Sequence, residues 1–108
     1  MKQNLKLIRG DDTCLELDIK TGEKQYDLSS IDRADLHVKS KNRVVVKLST
    51  TDGSIVIDNG KMYLKFAHQD TQNLRFRTAD YDLQVVKNGK IKTIMYGMIE
   101  LQHDITII

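Results

Sequence analysis

Apolar and polar residues alternate along most of this chain. Leu5 and Leu7 alternate with lysine, and Leu15, Leu17 and Ile19 alternate with Glu16 and Asp18. The same period of two returns in Ala34, Leu36 and Val38, in Val44, Val46 and Leu48, in Ile55 and Ile57, and in Met62, Leu64 and Phe66. Tyr81, Leu83 and Val85 then lead into a long run from Ile91 to Leu101. Successive side chains of an extended strand point to opposite faces, so this spacing predicts half-buried strands and leaves almost no helical periodicity. Short strands punctuated by glycine turns predict an all-β fold, an antiparallel β-sandwich of about seven to eight strands.

Strand register tests each turn, because a slip of one residue exchanges the two faces of a strand. A two-residue turn at Asn59-Gly60 sets Ile57 opposite Met62 and Ile55 opposite Leu64. The same turn at Asp52-Gly53 sets Leu48 opposite Ile57, and both agree with short hairpin chemistry. At Asn88-Gly89 it would set Val85 opposite Lys92. A three-residue loop from Lys87 to Gly89 is therefore predicted, with Val85 opposite Ile91 and Gly89 forming a bulge. The polar segment His68 to Asn73 predicts one helical turn where the chain crosses between sheets, with Leu74 closing an end of the core. Tyr26 to Ser30 predicts a second corner, in which Asp27 and Ser29 take backbone amides.

The chain has 108 residues, the size of a single domain spanning 1–108 with one modest core. Hydrophobic residues at 40% and charged residues at 30% exclude a disordered chain. Seventeen basic and fifteen acidic side chains leave a net charge of +2, too balanced to imply a nucleic-acid partner. No apolar run approaches the ~20 residues of a membrane span. No signal-peptide core follows the polar stretch Met1 to Asn4, so the chain is expected to stay where it is made. Cys14 is the only cysteine and cannot form an internal disulfide. With no base beside it in sequence, it reads as an inert thiol.

His37, His68 and His103 fall in different predicted elements, without zinc-site spacing. Asp11 with Asp12, and Asp80 with Asp82, could in principle serve acid–base chemistry or calcium. Turn formation and an outward strand face account for them more simply. Arg9-Gly10-Asp11 spells an adhesion tripeptide but reads as a bend at Gly10, with Asp11 bonding back to the backbone. Lys39, Lys41, Arg43 and Lys47, and Lys87, Lys90 and Lys92, make two basic stretches. Single-strand binders add exposed aromatics to such stretches, whereas lysines on exposed strands also block edge pairing. No catalytic, cofactor-binding or metal site is expected. An interaction face is expected at Ile94, Tyr96 and Met98, a second apolar alternation facing away from Met95, Ile99 and Leu101.

Ala79-Asp80-Tyr81 followed by Leu83 resembles the tyrosine corner of immunoglobulin-like domains, where a tyrosine hydroxyl bonds upstream backbone. The absence of a cysteine pair and of tryptophan excludes a true antibody-type domain but not the sandwich. Almost from end to end, the chain resembles a family of small tailed-phage virion domains, represented by the N-terminal domain of baseplate upper proteins. The residues that carry the resemblance are Ile8-Arg9-Gly10-Asp11-Asp12, Tyr26-Asp27-Leu28-Ser29, and Asp58-Asn59-Gly60-Lys61 ahead of Met62 to Phe66. The crossover His68 to Asn73, then Tyr81-Asp82-Leu83, and Gly97 midway along a final strand ending in Ile99 and Leu101, complete it. Where the family usually has a glycine before the Tyr-x-Leu strand, this chain has Ala79 and Asp80.

The resemblance implies an immunoglobulin-like sandwich without catalytic residues or cofactor. Such a domain would be made in the host cytoplasm and dock onto other virion proteins in a tail, baseplate or head-surface assembly, with self-association left open. The alternative is a carbohydrate- or host-surface-binding module on the same sandwich. It would need exposed aromatics for sugar stacking, and Tyr63 and Tyr96 are the candidates.

Overall fold

Two sheets close over one apolar interior in the computed structural model, which describes residues 1–103. Positions 104–108 of the expected domain lie outside the described residues. The strands are β1 (Leu5–Ile8), β2 (Thr13–Leu17), β3 (Lys20–Thr21), β4 (Lys24–Gln25), β5 (Arg33–Ser40) and β6 (Arg43–Ser49). They continue as β7 (Ile55–Asp58), β8 (Lys61–Phe66), β9 (Thr78–Lys87) and β10 (Lys90–Gln102), with one helical turn, α1 (His68–Thr71), between β8 and β9. The larger sheet has the order β1-β10-β9-β5-β6, the smaller has β2-β8-β7, and β3 and β4 form a two-stranded ribbon.

The fold is the expected all-β sandwich. One pairing departs from an all-antiparallel arrangement, because β1 runs parallel to β10. The larger sheet thus sets β10, β9 and β5 side by side, and the smaller one sets β8 between β2 and β7.

Alternation decides which side chains meet. Ala34, Leu36 and Val38 of β5 and Leu83 and Val85 of β9 are fully buried, and so are Met62 and Leu64 of β8. They join residues of both sheets in one core cluster. Each leucine, valine or methionine buried in this way contributes about 1.5–3 kcal/mol relative to exposure.

The hairpin at Asn59-Gly60 has the expected register, with Asp58 paired to Lys61, Ile57 to Met62 and Ile55 to Leu64. Asn59 and Gly60 both adopt positive φ, at 50° and 75°, as this turn type requires. The β5–β6 connection uses the same geometry without glycine, since Lys41 and Asn42 have φ of 53° and 64°. That turn carries no Asn-Gly or Asp-Gly signature in the sequence. The helical turn appears at the expected crossover, and Leu74 packs against the core beyond it. At the other corner, Asp27 accepts from the Ser29 amide at 2.9 Å.

Two expected registers are corrected. Asp52-Gly53 is not a hairpin turn, because β6 belongs to the five-stranded sheet and β7 to the three-stranded one. Leu48 pairs with Leu36 rather than facing Ile57. The segment between them crosses the sandwich, held by the Ser49 amide donating to Ser54 Oγ at 2.8 Å and the Ser54 amide donating to Asp52 Oδ1 at 2.9 Å.

At the second, Asn88 and Gly89 both have positive φ and Lys87 pairs with Lys90, so the turn has two residues and not three. Val85 consequently faces Lys92. The register slips farther along β10, at a bulge between Thr93 and Met95, beyond which Met95 pairs with Leu83. Lys92 lies exposed near the hairpin tip, where its charge needs no burial. The Lys87 ammonium lies 5.9 Å from the centroid of the Tyr26 ring and gains a cation–π contact.

Candidate interaction face

The β10 bulge sets which side chains of the final strand face outward. Ile94 lies at the bulge and turns into the core, only 5% exposed, beside the fully buried Met95. This corrects its expected place on the outer face. A bulge inserts one residue without a partner and so shifts the alternation that follows. Tyr96 and Met98 do stand on the outer face, 50% and 43% exposed.

β10 is held in place by the N-terminal segment. The Gln3 amide donates to the Tyr96 carbonyl at 2.9 Å, and the Tyr96 amide donates to the Met1 carbonyl at 3.0 Å. The Met98 amide donates to Asn4 Oδ1 at 3.1 Å. Between these contacts lies Gly97, paired with Tyr81 of β9. The Tyr81 hydroxyl donates to the Gln3 carbonyl, and burial pushes its pKa up to about 12. Tyr81 therefore bonds backbone as the tyrosine-corner reading expects, but the acceptor belongs to the N-terminal segment rather than to a nearby turn.

Across the same outer face, the strand pairings bring charged residues into rows. Tyr96 pairs with Asp82, Asp82 with His37, and His37 with Lys47. In the adjacent row Met98 pairs with Asp80, Asp80 with Lys39, and Lys39 with Val44, which is 37% exposed. Acidic groups thus sit on β9 and basic ones on β5 and β6. Among the described residues, Asp80, Asp82, Lys39 and Lys47 form no ion pair within the chain. Sequence alternation places Asp80 and Asp82 on one outward face, but only the register shows that Lys39 and His37 stand beside them.

The remaining candidates lie elsewhere. An open groove of about 610 Å³ is lined by Asp12, Cys14, Asp52, Lys65 and Asp70, among others. Each of its carboxylates is already engaged. Asp12 accepts from the His68 amide at 2.7 Å, Asp52 from Ser54, and Asp70 from the Ala67 amide at 2.8 Å. The His68 amide, followed by its ring nitrogen at 3.0 Å, holds the Asp12 carboxyl below the usual carboxylate range. Thus it is the Asp12 side chain that takes a backbone amide after the bend. Asp11 bonds back through its own amide, donating to the Ile8 carbonyl at 3.2 Å, and Gly10 takes a φ of 83° and donates to Thr71 Oγ1 at 2.9 Å. These contacts fasten α1 to the β1–β2 turn.

His37 lies on β5, His68 on α1 and His103 beyond β10. Among the described residues, no group of three histidines, cysteines or carboxylates could hold a metal ion. No helix among the described residues is long and apolar enough to cross a membrane. The chain matches no protein-family model and no curated protein.

Proposed function

We propose that this chain is a non-enzymatic structural or assembly protein of a phage or prophage particle, in its tail, baseplate or head surface, acting through protein–protein contacts. The observation that carries this reading is the outer face of the five-stranded sheet. Tyr96 and Met98 are half-exposed there on a strand fixed along both edges, beside Asp80, Asp82, Lys39 and Lys47, which form no ion pair among the described residues. Large apolar side chains on rigid strands, rimmed by polar residues, are characteristic of protein contact surfaces. The sequence resemblance, which runs almost from end to end, suggests the kind of assembly.

A sugar-binding role draws less support. Tyr63 is only partly exposed and lies on β8, in the opposite sheet from Tyr96, so the two rings cannot form one stacking platform. Mass spectrometry of particles purified from cells that carry the gene, after prophage induction, tests the assembly reading. The chain should copurify with the particles in fixed stoichiometry. Its absence from intact particles would overturn the proposal.

A further inference from the structure

We infer that two copies of this chain pack outer face to outer face through the five-stranded sheet, about a two-fold axis that runs along the strands between β9 and β5. The inference deepens the assembly reading, on which it rests for treating this face as a contact surface, by making the partner a second copy.

Aligned sheets pack about 10 Å apart with strand directions within roughly 30°. A two-fold axis lying between two such sheets and parallel to their strands keeps each row opposite the same row of the partner. It also reverses the order of strands, so β10 lies over β6 of the second copy and β9 over β5. The row Tyr96, Asp82, His37, Lys47 then sets Asp82 against His37 of the second copy and Tyr96 against Lys47. The row Met98, Asp80, Lys39, Val44 sets Asp80 against Lys39 and Met98 against Val44. Each acid meets a base and the exposed methionine meets the exposed valine, twice over by symmetry.

Other placements of the axis lose this match. An axis along β9 brings Asp80 onto Asp80 and Asp82 onto Asp82 of the second copy. An axis across the strands lays β9 over itself in the opposite direction and again gathers the carboxylates. Like charges brought together in a desolvated interface are strongly unfavourable, so the charge pattern selects one arrangement. Asp80, Asp82, Lys39 and Lys47, which form no ion pair among the described residues, are available for it.

Sedimentation equilibrium of the full chain tests the inference. The wild type should dimerise, and added salt should weaken the dimer. Asp80→Lys and Lys39→Asp should each raise the dimer Kd by about tenfold or more. An equimolar mixture of the two should dimerise again, because every facing pair in the mixed dimer then joins opposite charges. If a single reversal does not fold, as judged by circular dichroism, the double reversal decides. The chain carrying both changes should pair with itself and not with the wild type.

A wild type that stays monomeric at millimolar concentration would overturn the inference. So would a dimer indifferent to both single reversals, or a double reversal that binds the wild type. A monomeric chain still found in purified particles would remove this dimer and leave the assembly reading standing. A dimer with the expected charge exchange, absent from particles, would do the reverse.

Discussion

Gly97 is a glycine because of what lies over it. A Cβ there would come within 2.9 Å of the Gln3 carbonyl carbon, and closer to its oxygen, with Asn4 Oδ1 at 3.1 Å. The N-terminal segment cannot retreat without giving up the Gln3–Tyr96 and Asn4–Met98 hydrogen bonds. Gly97→Ala should therefore lower stability by about 1–3 kcal/mol, read by thermal unfolding, and speed proteolysis within residues 1–9. An unchanged melting temperature would show that the approach is not tight. The sequence displays this glycine midway along a strand, but not its reason, since the segment that crowds it is distant in the chain.

At the same scale, Asp12 links acid to stability. Its carboxyl is held below its ordinary range in the folded chain, so the contribution is fully present above the unfolded value near ~3.9 and is lost as pH falls through the folded value. Asp12→Asn should destabilise at neutral pH, and its difference from the wild type should shrink as the medium falls below about pH 4. Comparing the two proteins by urea unfolding across that range isolates Asp12 from Asp27 and Asp52, which titrate low in both. A difference independent of pH would assign the effect to something other than this carboxylate.

Among the elements, β10 shows what alternation can and cannot reveal. The period of two identifies the strand and places Tyr96 and Met98 opposite in sense to Ile99 and Leu101. It cannot locate the slip. A three-residue turn over residues 87–89 would put the one-residue mismatch at the hairpin tip, whereas the chain keeps the favoured two-residue turn and absorbs the mismatch as a bulge at Ile94. The result leaves Ile91 70% exposed and buries Ile94. Ile94→Ala should consequently cost about 2–5 kcal/mol, while Met98→Lys should change monomer stability by no more than about 0.5 kcal/mol. Urea unfolding of both variants separates the two positions, and equal losses would mean that Ile94 is not core. The Asn59-Gly60 hairpin was legible because its residues meet in a simple two-strand ladder. The Asp52-Gly53 segment was not, since no local feature says that a chain is leaving one sheet for the other.

For the whole molecule, the sandwich follows from alternation, but its order follows from pairings between distant strands. β5 pairs with β9, and β1 with β10, across most of the chain. Domains built from such non-local pairings fold in about milliseconds to seconds, and stopped-flow refolding of this chain should fall in that range. Microsecond refolding would contradict the topology. The outer-face rows were invisible for the same reason, because Asp80 and Lys39 become neighbours only once β5 and β9 pair.

The parallel seam between β1 and β10 also orders events on the ribosome. Leu5 and Leu7 are made well before β10, and their strand has no mate until Ile99 and Leu101 emerge. Until then the hydrogen-bonding edge of β1 stays unpaired, and the larger sheet closes only when its last strand arrives. A chain cut short before β10 would leave β1 without its mate and β9 with one bare edge.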